Sequence, residues 1–246
     1  MKTKQIACAA AAALCVGGGV GGAHAQAAGN IVVNAGWMHF APQDSSGPFK
    51  INALGQTMTA PNAGASISNA DTFAITTTYF FTDHIAAEVA MGVPPKFNLD
   101  GTGSLGAIGK LGSTREWSPT LLLKYYFGSA QSRFRPYIGA GGAYVWFTDE
   151  KLTSPMANGA FLYSSQFGNA LTGPTTVSFS SSFAPVANAG FTYNFTDHWS
   201  ASFSLSYMWL SARARLETQS AVGTVRSESK IKLNPIVSFL SVGYKF

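Results

Sequence analysis

Cysteine is nearly absent from this chain: Cys8 and Cys15 are its only two, and both lie near the start. From residue 26 onward, disulfides and cysteine-based metal sites are therefore excluded. Charge is scarce as well, at 11% Asp, Glu, Lys and Arg, where a soluble domain averages about a quarter. Residues 26–246 carry 14 basic and 11 acidic side chains with no long basic run, so nucleic acid is not an expected partner. No stretch after residue 25 reaches the roughly twenty apolar residues of a membrane-spanning helix. Yet 46% of the chain is hydrophobic and 13% aromatic. A chain that is apolar overall, but never continuously so, fits a bilayer crossed by strands. No pair of His stands at ligand spacing and no G-x-x-x-x-G-K-[ST] occurs, so neither metal nor any other cofactor is expected.

Lys2 and Lys4 precede an apolar run from Ile6 to Val20, followed by Ala23-His24-Ala25. A basic start, a short apolar core and an A-x-A site are the pattern of a secretory signal peptide, expected over residues 1–25. Residues 26–246 are then the mature domain. Neither Cys8 nor Cys15 has the setting that lipid attachment requires.

The segment Trp199–Trp209, W-S-A-S-F-S-L-S-Y-M-W, alternates apolar with polar, broken only by Met208. Trp199, Ala201, Phe203, Leu205, Tyr207 and Trp209 share one face; Ser200, Ser202, Ser204, Ser206 and Met208 share the other. Period two means a strand with one apolar and one polar face. At roughly 3.3 Å per residue and roughly 40° of tilt, ten steps rise roughly 25 Å, the height of the apolar band of an outer-membrane barrel. Tyr-x-Phe closes four such segments: Tyr79-Phe80-Phe81, Tyr125-Tyr126-Phe127, Tyr193-Asn194-Phe195 and Tyr244-Lys245-Phe246. Two copies continue as Thr82-Asp83-His84 and Thr196-Asp197-His198, which fits a tight turn held by Asp bonding its own backbone. A third is followed by Gly128-Ser129-Ala130-Gln131-Ser132, and the fourth is the chain end. Four like endings joined by three short turns and a terminus imply eight strands. The longer connections, about 42–66, 95–115, 149–182 and 213–231, are then external. The expected fold is all-β: an eight-stranded antiparallel transmembrane β-barrel with short periplasmic turns and long extracellular loops, in the outer membrane of a Gram-negative bacterium.

Alternation assigns faces to each strand. Ile31, Val33, Ala35 and Trp37 point to lipid in the first; Phe73, Ile75, Tyr79 and Phe81 in the second; Ile85, Val89, Met91 and Val93 in the third. Leu121, Leu123, Tyr125 and Phe127 do so in the fourth, and Phe183, Phe191, Tyr193 and Phe195 in the sixth. The fifth strand, Pro136 to Phe147, is ambiguous through its Gly139–Ala143 middle, and Ile138, Tyr144 and Trp146 are placed outward. Glu88, Lys124 and Lys245 fall on inner faces, as expected where a basic group facing the bilayer midplane costs about 2–4 kcal/mol.

Sorted by height, the inner wall reads as polar near the periplasm, with Thr78, His84, Glu88, Lys124, Asn194, Ser200, Ser202 and Lys245. It reads as apolar near the outside, with Met38, Val145, Phe147, Val186, Met208, Leu210, Val237 and Phe239. These eight, with Leu122, Glu88 and Lys124, are the candidate channel-lining residues. An apolar pocket over a narrow polar shaft suits a small hydrophobic solute, through burial at roughly 25 cal/mol per Å². The alternative is that the same residues plug the barrel mouth, in a structural or receptor barrel that presents its loops without transport. An enzyme is not expected. His39 with Asp44 and Ser45 or Ser46 is one possible grouping, but sequence adjacency makes no triad.

Four segments carry a family resemblance. They are Tyr79-Phe80-Phe81-Thr82-Asp83-His84-Ile85-Ala86-Ala87-Glu88; Trp117-Ser118-Pro119-Thr120-Leu121-Leu122-Leu123-Lys124-Tyr125-Tyr126-Phe127; Arg135-Pro136-Tyr137-Ile138-Gly139-Ala140-Gly141; and Leu233-Asn234-Pro235-Ile236-Val237 with Val242-Gly243-Tyr244-Lys245-Phe246. In this order they resemble the OmpW family of eight-stranded outer-membrane proteins, which includes AlkL-type hydrocarbon-uptake proteins. The resemblance implies a hydrophobic interior channel for small hydrophobic compounds, with lateral release into the membrane as one proposed exit. The chain departs from the pattern in its long third loop and in Lys124, where Gln is commoner. Partners expected are the lipid bilayer, small hydrophobic solutes and, through the terminal Phe246, the barrel-assembly machinery.

Overall fold

The computed structural model describes residues 26–246 apart from 54, 61 and 164–167; the expected signal peptide lies outside the described residues. Eight strands form the barrel: β1 (Ile31–Ala41), β2 (Ala70–Phe80), β3 (Ile85–Gly92), β4 (Thr120–Tyr126), β5 (Phe134–Leu152), β6 (Ser182–Asn194), β7 (Trp199–Met208) and β8 (Ile236–Lys245). Each pairs antiparallel with its neighbours in sequence, whether the connection is a short turn or a long external one. β1 also pairs with β8, and β4 with β5, so the sheet closes on itself. Closure leaves no strand edge unpaired in the hydrocarbon.

Parity runs as the alternation requires. Trp37, Phe73, Ile75, Val89, Leu121, Leu123, Ile138, Tyr144, Leu205 and Leu240 are exposed on the outer surface. Their strand neighbours Thr76, Thr78, Leu122, Lys124, Val145, Ser204 and Phe239 are buried within. The ambiguous fifth strand resolves through its register: Gly142 pairs with Pro185 and lies under the Phe183 ring, which covers the lipid face that glycine leaves bare. All four Tyr-x-Phe repeats adopt one geometry. Rings of Tyr79–Phe81, Tyr125–Phe127, Tyr193–Phe195 and Tyr244–Phe246 meet edge to face at 5.1, 5.2, 5.4 and 5.0 Å. This is the aromatic girdle at the periplasmic interface.

The two Thr-Asp-His turns are tight, but the expected chemistry needs correction. The side chain bonding the local backbone is Thr, not Asp: Thr82 Oγ1 accepts from the Ile85 amide at 2.9 Å, and Thr196 Oγ1 from the Trp199 amide at 3.0 Å. Asp83 instead accepts from the Ala28 amide at 2.9 Å, tying down the segment before β1. Threonine takes the turn because its hydroxyl reaches an amide three residues on without leaving the extended backbone of the strand end.

The long connections carry strands of their own. Ser211–Ser220 and Gly223–Lys232 form a hairpin flanked by Thr175–Phe179 on one side and by Phe49–Ala53 with Gln56–Ala60 on the other. Ala63–Ile67, Lys96–Gly103 and Lys110–Trp117 extend the opposite wall from the outer part of β5. The hairpin alternates Ala212, Ala214 and Leu216 inward against Arg213, Arg215 and Glu217 outward. The barrel thus continues beyond the outer aromatic level as two facing sheets with apolar interiors and charged exteriors.

Candidate functional site: a stacked apolar interior

The barrel interior holds a cavity. Its upper wall is Met38, Phe40, Val186, Met208, Val237 and Phe239, and lower down come Leu122, Thr76, Asn188 and Glu88. Seven of the eleven candidates therefore meet at one space. Val145 and Leu210, both without exposed surface, pack into the adjoining apolar cluster with Ala184 and Leu233. Phe147 lies higher, against the Phe179 ring at 5.4 Å, where a smaller void is bounded also by Ile67, Phe97 and Leu233. Above that, between the two external sheets, lies a further apolar space lined by Phe49, Leu99, Leu105, Leu111, Met156 and Leu216. Apolar spaces are thus stacked from the outside to mid-barrel, and Phe40 and Phe97 meet edge to face at 6.0 Å between them.

Below, at the level of the expected narrow polar shaft, a small polar space is bounded by Asn34, Thr78, Glu88, Lys124, Tyr137 and Ser202. Lys124 Nζ lies 2.6 Å from Glu88 Oε1, while Thr78 and Thr76 donate to Glu88 Oε2 at 2.9 and 3.3 Å. The ammonium also sits 4.4 Å over the Tyr137 ring. The rings of Phe80, Tyr126 and Tyr137 meet at a tilt, 4.9 and 4.8 Å apart, across the lower lumen. Arg135, fully buried beneath them, donates to the Gln26 carbonyl at 2.8 Å and to the Asp83 carbonyl. Phe80 and Tyr126 are the middle residues of their Tyr-x-Phe repeats. The outer pair of rings faces lipid, so the middle position of any such triplet must face inward.

The side wall is interrupted at one level. The β3–β4 ladder ends at the Ala90–Thr120 pair. Pairing between the same two chain segments resumes only at Lys96–Arg115, with the Glu116 amide donating to the Pro95 carbonyl at 3.2 Å. Between them stand Pro94, Pro95 and Pro119, none of which has an N–H to offer a ladder. Met91 and Val93, exposed on the outer surface, line the interior cavity here together with Trp117 and Ser118. Interior and lipid face share this window.

The window's upper rim carries a residue that sequence reasoning passed over. Glu116, on the Lys110–Trp117 strand above the membrane-spanning segments, faces the cavity and is 1% exposed. Burial pushes its carboxyl up to about 7, against a smaller opposing effect of a hydrogen bond from Ser118. The sole available signal was parity with Trp117, which was masked by the break of the strand at Pro119.

The possible His39 grouping does not assemble. His39 Nδ1 pairs with Asp71 Oδ1 at 2.7 Å, Asp44 accepts from the Ile67 amide, and Ser46 accepts from the Ala65 amide. Among the described residues, no cluster of three or more His, Cys, Asp or Glu suits a metal ion.

Comparison with known proteins agrees with this geometry. A family model described as the OmpW family matches residues 27–246. The chain is 31% identical over 221 residues to outer membrane protein W of Vibrio cholerae, covering 89% of each. It is 25% identical over 187 residues to outer membrane protein AlkL of Ectopseudomonas oleovorans, covering 76% of this chain and 70% of that one. Among solved structures it is similar to the outer membrane protein OprG from Pseudomonas aeruginosa, with a TM-score of 0.76 at 27% identity, covering 91% of this chain and 98% of that one. The chain belongs to the OmpW family, as an eight-stranded barrel of a Gram-negative outer membrane.

Proposed function

We propose that this barrel passes small hydrophobic molecules inward from the cell exterior, without an energy source. The observation that carries the proposal is the stack of apolar spaces ending on a charged, hydrogen-bonded floor beside a window in the wall. A solute that enters from outside exchanges water for apolar surface at roughly 25 cal/mol per Å². Met38 and Met208 adapt to varied shapes. Lys124, Glu88 and Arg135 stand between the cavity and the periplasm, so the exit that leaves these three in place is sideways, through the proline-bounded window into lipid.

Flux into protein-containing liposomes tests this directly. Toluene or a short alkane enters faster than in protein-free vesicles, while a charged solute of equal size does not. Equal rates for all solutes with and without protein would favour the alternative, a barrel that presents its external sheets to a partner.

Assembly through the terminal residue is part of the same proposal. The Phe246 ring is exposed at the lipid face, while its amide donates to the Ile31 carbonyl at 2.9 Å. Phe246→Ala keeps the backbone bond. The variant folds in detergent like the wild type, but its level in the outer membrane of cells falls severalfold, read as heat-modifiable protein in the membrane fraction. Unchanged cellular levels would remove Phe246 as an assembly signal.

A further inference from the structure

Among the described residues, two ionisable side chains line the barrel cavity, Glu88 and Glu116. Glu88 is spoken for, by Lys124 and two threonine hydroxyls. Glu116 is only half so: Ser118 hydrogen-bonds its carboxyl, but Oε1 is buried with no hydrogen-bond partner. An unpartnered buried carboxyl oxygen is a standing penalty in a folded protein, and a ligand that supplies a donor removes it.

Among the described residues, no other charge on the neighbouring elements offers that donor. Arg115, next in the strand and on its opposite face, donates to the Pro94 carbonyl at 3.0 Å and pairs with Asp149 of β5 at 3.6 Å. Lys151 pairs with Asp149 at 2.8 Å, and Lys96 is exposed. The residue opposite Glu116 on β5 is Phe147. From β3 and β4, Glu88 and Lys124 neutralise each other at the floor. The lining residues of β1, β2, β6, β7 and β8, such as Met38, Thr72, Asn188, Ser206 and Phe239, carry no titratable group.

We propose that Glu116 is a recognition point for a protonated primary amine carried on an apolar body, with the body lying against Met38, Val186, Met208 and Phe239. An amine is favoured over a hydroxyl because a cation stabilises the buried carboxylate by charge as well as by hydrogen bonding. The proposal rests on the passage function above and narrows its solute class. It also fixes a pH dependence. Glu116 is largely neutral below pH 7 and charged above it, whereas an alkyl- or benzylamine stays protonated to above about pH 9. Amine affinity therefore rises as pH is raised through 7, and toluene affinity does not.

The test uses the full barrel in lipid nanodiscs and three isosteres: benzylamine, benzyl alcohol and toluene. Between about pH 5.5 and about pH 8.5 the benzylamine-to-toluene affinity ratio rises about tenfold, and Glu116→Gln removes that rise while keeping the side chain's shape. Benzyl alcohol shows no comparable pH step. A ratio indifferent to pH, or one that Glu116→Gln leaves intact, overturns the amine assignment, as does a benzyl alcohol response equal to that of benzylamine. Failure of the underlying function reads differently: toluene would not bind at any pH.

Discussion

Lys124→Met destabilises the folded barrel by about 3–5 kcal/mol, read as a lower midpoint in reversible urea unfolding from lipid vesicles. The lysine is 3% exposed and its ammonium is 2.6 Å from Glu88. Methionine fills similar space but leaves the Glu88 carboxylate buried without its cation. Thr76 and Thr78 continue to donate to it, yet two neutral hydrogen bonds do not offset the desolvation of a full charge. The matching double variant Lys124→Met with Glu88→Leu recovers most of the loss, because the penalty belongs to the orphaned charge and not to the missing bond. Were the single and double variants equally unstable, the floor would be held by shape alone, through Phe80, Tyr126 and Tyr137. A single variant as stable as the wild type would mean that water reaches Glu88 from the cavity.

Both partners of that pair were legible in the sequence as inner residues of opposite sign, since period-two alternation fixes the face of every strand residue. Their contact was not, because it depends on the register between β3 and β4, where Leu122 rather than Lys124 stands opposite Glu88. The lipid face was the clearest feature: Trp199–Trp209 and the Tyr-x-Phe repeats place rings wherever the chain meets an interface. The external sheets were the least clear. Ser211–Ser220 alternates as faithfully as any barrel strand, but its inward residues are Ala212, Ala214, Leu216 and Thr218. Small inward residues beside exposed arginines look like a solvated loop by composition, and only pairing across sheets reveals the apolar space they enclose. Of the cavity lining, Met38, Val186, Met208, Val237 and Phe239 followed from parity. Phe147, Val145 and Leu210 share that parity and yet sit above or beside the space, because height along a strand is fixed by barrel tilt and stagger, which alternation does not encode.

Ala90→Trp lowers toluene flux into liposomes by about tenfold or more, whereas the Lys124→Met, Glu88→Leu floor variant passes toluene at the wild-type rate. Ala90 is the last residue of β3 paired with β4 beneath the window, and it lines the cavity. An indole there occupies the space a solute must cross to reach the gap between Met91–Pro94 and Trp117–Pro119. Displacing it requires overpacking, at about 1–3 kcal/mol, and each 1.4 kcal/mol is a factor of about ten in rate. The indole lies inside the wall, so the barrel's lipid face and its strand pairing are unchanged, and heat-modifiable gel mobility verifies that the variant is folded. The two variants separate the routes because they act on opposite sides of the cavity. If the floor variant altered flux while Ala90→Trp did not, solute would be leaving along the barrel axis toward the periplasm, and the proline-bounded window would be a structural break in the ladder and no more. A window that conducts must also admit lipid: a spin-labelled acyl chain then quenches Trp117 from the interior side in the wild type, and loses that effect in the Ala90→Trp variant, whose added indole fills the passage.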